Sequence, residues 1–318
     1  MADWQRRLRE LLLAGGSLMV VGCSSDGPHA PACNANPDPC CSQPSSHACQ
    51  IYPGCQDGGG ALAFSADGGE LAVSATELLS RCRTIIVAVF DASQVEKLLA
   101  ELERSEYLAQ SVMICTTTCA PDEITMIATR AAASGLRLVE APISGTSAEV
   151  RDGSAMALVA GEPDAIEAAA TVLDIISRQR VNAGGVGDAS RTKLAINLIL
   201  QNNRAALAEG LVFAQTLGLD PKLFLAIARQ SPAYSAVMDT KGEKMLMRDF
   251  TPQSHIAQTL KDAELILGEA QHRNLRLPVT STQADLLRAA IALRGGECDS
   301  SAIIEAIRPT GVQHEKPR

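Results

Sequence analysis

Lys193 and Asn197 stand four residues apart in a stretch, about Asp188 to Leu217, that holds no proline and one interior glycine, Gly210. On a helix they share one face, and Gln201 continues the stripe. An amine and two amides in line on an otherwise apolar helix need partners, because burying them unpaired costs several kcal/mol. A lysine held beside a reacting oxygen can act as general acid or base. The same lysine near a helix start can also extend its head to solvent. Other polar groups stand at element ends. Ser144-Gly145 follows an apolar run and reads alone as a turn, Lys261-Asp262 as a solvated helix pair, and Thr118, ahead of Pro121, as a cap. Cys40, Cys41 and His47 could take zinc, but they lack C-x-x-C spacing, and no metal is expected.

The elements that must position these residues follow from residue 61 onward. Leu71 to Val73 reads as a short strand, and Ser74 with Glu77 as a capping box opening a helix through Cys82. The β-branched run Thr84 to Val89 suggests a fully buried strand. Val95 to Leu102 reads as helix, Val112 to Cys115 as strand, and Pro121 as the first residue of a helix ended by Gly135. Leu136 to Val139 returns to strand. This βαβα rhythm argues a parallel sheet with covering helices. Asp164 to Ile176 is helical, Gly184 to Gly187 a turn, and 188–217 a helix of about 45 Å. Its apolar residues Leu194, Ile196, Leu198, Ile199, Leu207 and Phe213 lie on several faces, which predicts a buried central helix. Helices are expected at about 221–230, 235–248, 254–271, 279–293 and 300–307. The fold class is therefore an α/β domain at 61–186, an all-α domain at 187–308 built on one long central helix, and a tail at 309–318.

The 318 residues fit roughly two domains at about 150 residues each. The formal net charge of −8, with no basic cluster, gives no support to nucleic acid as a partner, and none is expected. No apolar run reaches about 18 residues, so no segment is expected to span a bilayer. Six of the 10 cysteines, from Cys23 to Cys55, fall in the first 55 residues. Residues 1–23 read as an export signal: Arg6, Arg7 and Arg9 precede a largely apolar stretch from Leu11 to Gly22. Val20-Val21-Gly22-Cys23 resembles a bacterial lipobox, which would make Cys23 a lipidated membrane anchor. An amphipathic N-terminal helix is the other reading. Residues 24–60, with six prolines and five cysteines, read as a disordered tether in which cysteine pairs could form disulfides.

Taken in order, Glu140-Ala141-Pro142-Ile143-Ser144-Gly145, Gly187, Lys193-x-x-x-Asn197 and Lys261-Asp262 make the chain resemble the β-hydroxyacid dehydrogenase family over about residues 66–308. That family includes 3-hydroxyisobutyrate dehydrogenases, tartronate semialdehyde and glyoxylate reductases and, more distantly, 6-phosphogluconate dehydrogenase and imine reductases. The resemblance implies a Rossmann-like domain, NADP or NAD as cofactor, hydride transfer to or from a small carboxylate-bearing substrate, a homodimer and a cytoplasmic enzyme. It implies that Ser144, Gly145 and Thr146 hold the substrate carboxylate, with Thr146 where a second glycine is usual. Lys193 is then the general acid/base, its pKa lowered by partial burial, and Asn197 orients the substrate. Ala88, Val89 and Phe90 underlie the dinucleotide, with Phe90 in place of the usual proline, and Thr118 and Lys261 lie beside it.

The family's opening strand, Gly-x-Gly-x-x-Gly turn and helix find no match. Gly58-Gly59-Gly60-Ala61-Leu62-Ala63 fits the glycine spacing but follows Cys55-Gln56-Asp57 rather than a strand, and reads as a flexible turn. The leader is therefore expected to replace the first βαβ of an N-terminally truncated Rossmann-like domain. The alternative function is a non-catalytic, lipid-anchored or dimeric binding protein derived from the dehydrogenase fold.

Overall fold

Three short apolar runs, buried along nearly their whole length, make the centre of a sheet in the computed structural model. The structure describes residues 18–22, 72 and 74–308. Strand β1 is Leu18–Gly22, β2 Thr84–Ala88, β3 Val112–Cys115, β4 Arg137–Glu140, β5 Ile143–Ser144, β6 Met156–Gly161 and β7 Gln179–Gly184. Helix α1 is Ala75–Arg81, α2 Ala92–Leu102, α3 Pro121–Ala133, α4 Ser147–Asp152 and α5 Pro163–Ile176. Helix α6 is Asp188–Thr216, α7 Pro221–Arg229, α8 Ala236–Met247, α9 Ile256–His272 and α10 Pro278–Arg294, with a 3-10 turn at Ser300–Ala306. The chain divides into two units, Met1–Lys193 and Leu194–Arg318, and the division falls within α6.

In the first unit the sheet order is β1-β2-β3-β4-β6-β5, with β7 on β6. Strands β2, β3 and β4 are parallel neighbours. Alternate side chains of these strands go to opposite faces. Ile85, Val87, Met113 and Leu138 pack in one core with Leu79, Leu99 and Ile127 from α1, α2 and α3. Ile86, Ile114 and Val139 pack in a second core with Ala169, Leu173 and Ile176 from α5. Covering both faces is what lets these strands read as unbroken apolar runs.

The sheet is not wholly parallel, as the βαβα rhythm had suggested. Strand β6 runs antiparallel to β4 and β5, and β1 antiparallel to β2. Strand β1 comes from the stretch read as an export signal; its backbone pairs Leu18 with Ala88 and Gly22 with Thr84. The remaining readings on residues 1–60, the export signal, lipobox Cys23, tether, zinc ligands and glycine turn, lie outside the described residues, as does the tail from 309. The strand expected at 71–73 does not form at Ala72, and its two neighbours are outside the description.

The other boundaries shift by a few residues. Helix α2 starts at Ala92, earlier than Val95, because the Asp91 side chain accepts the Gln94 N–H as an N-cap. Residues 300–306 are 3-10 rather than α-helical. Strand β7 went unread because its residues are polar and mostly exposed, leaving no apolar alternation.

The second unit packs α7 to α10 and most of α6 around Leu207, Leu211, Leu225, Met245, Leu287 and Ile303. Long helix α6 is not buried on all sides of this chain. Leu194 and Leu207 are buried, but Ile199 and Phe213 are 61% and 64% exposed. Among the described residues no helix is long and apolar enough to cross a membrane.

Candidate active site

In an open α/β sheet, ligands bind beyond the carboxyl ends of the parallel strands. Here β2, β3 and β4 end at Ala88, Cys115 and Glu140, and the segments that follow are those singled out in the sequence. The first two are stitched together. Val89 N–H donates to Thr117 Oγ1 at 3.0 Å, and Thr116 N–H to the Val87 carbonyl at 2.9 Å. Phe90 is exposed, with its N–H on Gln94 Oε1 at 3.0 Å, and Thr118 is half-buried.

Beyond β4 the chain passes through buried Ala141 and Pro142 into β5, which pairs Ser144 with Met156 of β6. Gly145 takes φ of +153°, a conformation L side chains rarely adopt. Thr146 N-caps α4: its Oγ1 accepts Glu149 N–H at 3.3 Å, and its own N–H donates to Glu149 Oε2 at 2.5 Å. The Thr146 N–H expected to face a substrate carboxylate is thus engaged by Glu149.

Lys193 is 7% exposed, and its Nζ donates to the Ile143 carbonyl at 2.6 Å. A carbonyl accepts from an amine as well as from an ammonium, so this bond can orient Nζ through a whole proton-transfer cycle. Glu140 is fully buried and clamps the start of α6. Its Oε2 accepts Gly187 N–H at 2.8 Å, and its Oε1 accepts Ser190 N–H at 2.6 Å. Burial pushes the Glu140 carboxyl up, against the opposing pull of these donors.

In the second unit, Asn197 is 5% exposed and donates from Nδ2 to Asp262 Oδ2 at 2.9 Å. Lys261 Nζ lies 3.1 Å from Asp262 Oδ1. Gln201 is 3% exposed and its Oε1 has no hydrogen-bond partner. Three residues on, Arg204 is buried too; burial pushes its guanidinium down to about 10, against the charges of Asp299 and Asp262.

The structure therefore brings Ala88–Phe90 to Thr117, ties Lys193 to the Glu140–Thr146 segment, and joins Asn197, Asp262 and Lys261. The reading of the sequence gave no role to Glu140, Asp262 or Arg204. A charged residue closing an apolar strand and an arginine extending the 193–197–201 stripe were the available signals.

A dinucleotide can be tested against these residues. The loops after β2 and β3 carry hydroxyls at Thr116, Thr117 and Thr118 beyond the strand carboxyl ends, where an open α/β sheet takes its ligand. A pyrophosphate turn would need a strand parallel to β2. Strand β1 is antiparallel, and its carboxyl end, Gly22, lies beside Thr84 at the far end of β2. Among the described residues no glycine-rich phosphate turn is present. Nor do they contain a cluster of His, Cys, Asp or Glu that could hold a metal ion.

Both parts of the chain have known relatives. Residues 60–185 match the family described as the NAD binding domain of 6-phosphogluconate dehydrogenase. Residues 187–307 match that described as NAD-binding of NADP-dependent 3-hydroxyisobutyrate dehydrogenase. The chain is 28% identical over 261 residues to L-threonate dehydrogenase of Cupriavidus necator, covering 81% of this chain and 86% of that one. It is 30% identical over 175 residues to the chloroplastic glyoxylate/succinic semialdehyde reductase 2 of Arabidopsis thaliana. That match covers 55% of this chain but only 49% of the plant protein. The crystal structure of 3-hydroxyisobutyrate dehydrogenase from Salmonella typhimurium shares the fold, with a TM-score of 0.69 at 22% identity over 76% of this chain and 86% of that one. The two matched regions are consecutive and together span residues 60–307, and the chain belongs to the β-hydroxyacid dehydrogenase family.

Proposed function

We propose that the protein is an NAD(P)-dependent oxidoreductase interconverting a small β-hydroxy acid and the corresponding semialdehyde or keto acid. The observation that carries this reading is the Lys193 Nζ bond to the Ile143 carbonyl, which ties an amine to the segment that begins at Glu140 and ends at Thr146. A nicotinamide cofactor, when bound, would supply or accept the hydride. Lys193 gives its proton to the substrate oxygen in reduction and takes it back in oxidation. Ser144 and Gly145 hold the substrate carboxylate with polar groups of the loop, and Asn197, one turn beyond Lys193, orients the substrate. Ala88, Val89, Phe90 and Thr118 cradle the nicotinamide end, with Lys261 beside it.

The substrate is a small hydroxy acid or semialdehyde, of the kind named for the relatives: threonate, glyoxylate or succinic semialdehyde. The enzyme works as a homodimer in the cytoplasm, where the cofactor is plentiful. Ile199, Phe213, Leu223 and Ile227, exposed on α6 and α7 of one chain, support the dimer, since apolar area of this kind is the raw material of an interface. Titrating the full chain with NADPH and NADH by cofactor fluorescence, followed by turnover on these acids and aldehydes, tests the function. Saturable binding of one nucleotide with turnover is expected; no binding of either at millimolar concentration overturns it. A monomer in light scattering would overturn the dimer alone.

A further inference from the structure

We propose that Glu140 is a positioning residue for Lys193, acting by holding the first turn of α6. The inference rests on the reading of Lys193 as the proton-transfer group. Glu140 is the last residue of β4, and its two carboxylate oxygens receive N–H groups from positions 47 and 50 residues later in the chain. Ser190, one of these donors, lies three residues before Lys193, on the same side of the helix. The lysine side chain then returns to the Ile143 carbonyl, three residues after Glu140. The segment from the end of β4 into β5 thus grips both the base of the helix that carries Lys193 and the tip of its side chain.

A helix start favours a carboxylate, because its first N–H groups lack intrahelical partners and its dipole is positive there. An exposed local cap would satisfy that need without burial. Asp188, the first residue of α6, puts a local carboxylate there, but its Oδ2 accepts Gly185 N–H at 3.0 Å, ahead of the helix, and its Oδ1 pairs with the Arg191 guanidinium at 2.7 Å, so neither bond caps a first-turn N–H. The fully buried Glu140 takes that role from long range, although burial disfavours its charged form. What it adds beyond capping is register, because it fixes the first turn of α6 to β4. A displacement of about 1 Å in a proton-transfer group can cost about 100-fold in rate.

The test compares Glu140→Gln and Glu140→Asp with the parent in the full chain. Glu140→Gln keeps the shape but loses the charge-assisted acceptor. It is expected to lower kcat about 10- to 100-fold while the KM for the acid substrate stays within about twofold. Glu140→Asp, which retains the charge, is expected to recover much of that loss. A second readout needs no turnover: competitive labelling of lysines with acetic anhydride, followed by peptide mass spectrometry. Freeing the helix start is expected to raise Lys193 labelling several-fold relative to the other lysines. A folded Glu140→Gln protein with both kcat and Lys193 labelling unchanged overturns the proposal, leaving Glu140 as a cap only. If Glu140→Gln fails to fold, Ser190→Pro, which removes one of the two clamped N–H groups at a first-turn position where proline is tolerated, decides by the same two readouts. If the parent itself shows no turnover, the functional reading fails, while the labelling still decides the clamp.

Discussion

Asn197 Nδ2 donates to Asp262 Oδ2 at 2.9 Å, joining α6 to α9 through two buried side chains. A carboxylate only accepts, so the amide nitrogen of Asn197 must face it and its carbonyl oxygen must face away. The pair therefore decides which end of Asn197 is left for another partner. Asp262→Asn removes that constraint, since an amide can meet Asn197 in either orientation. A hydrogen bond to a charged group contributes about 1.5–3 kcal/mol. The expected result is a fall in kcat/KM of about 10- to 100-fold with helical content intact by circular dichroism. A variant as active as the parent would show that Asn197 needs no fixing.

Replacing Lys193 separates proton transfer from charge. Lys193→Ala should lower kcat by about 100-fold or more, the usual contribution of a positioned general acid. Lys193→Arg should not recover it. A guanidinium keeps the positive charge but does not release its proton in a protein. Nicotinamide absorbance reads both variants. Full activity in Lys193→Arg would mean that the residue supplies charge alone.

Much of this was legible in the residues themselves. The runs at 84–89, 112–115 and 136–139 announced the central strands because each is buried on both faces, so apolar content alone marks them. Prolines at 121, 163, 221 and 278 stand at or just inside helix starts, where a missing N–H costs nothing. Lys193 and Asn197 were legible from helical spacing, but their partners were not: Ile143 and Asp262 lie 50 and 65 residues away, and spacing carries no such information. Strand direction was equally hidden. The antiparallel pairing of β1 and β6 depends on long-range backbone bonds rather than on local pattern. The exposure of Ile199 and Phe213 on α6 could not be read either, because an apolar residue looks the same whether its own chain or another covers it.

Gly145 gives a test of the carboxylate loop. At φ +153° any side chain is strained, and an added Cβ would lie 2.8 Å from Ala155 Cβ and 3.2 Å from Ala155 Cα. Neither contact is the far end of a flexible chain, so the loop itself must shift. Overpacking of this kind costs about 1–3 kcal/mol. Gly145→Ala is expected to raise the KM for acid substrates about tenfold or more and to lower the thermal midpoint. An unchanged KM in a folded variant would remove Gly145 from the substrate site.

Lys241 and Asp299 offer a test of stability apart from chemistry. Lys241 Nζ lies 2.8 Å from Asp299 Oδ2 with both side chains buried, and Asp299 also receives N–H bonds from Gln253, Ser254 and Ser301. Burial pushes the Asp299 carboxyl up, but the charge of Lys241 and these donors outweigh it and hold it below the usual 3.8. A depressed carboxyl contributes stability above its unfolded value, and that contribution is lost as pH falls through its folded value. The Asp299 part of the unfolding free energy should therefore be flat at neutral pH and drop below about pH 4. Asp299→Asn strands a buried ammonium and should cost about 3–5 kcal/mol in urea unfolding, with no acid-dependent part left at this position. Adding Lys241→Met removes the stranded charge and should restore at least about half of the loss. If the double variant is no more stable than Asp299→Asn, the penalty comes from the broken N–H bonds to residue 299 rather than from the unpaired lysine.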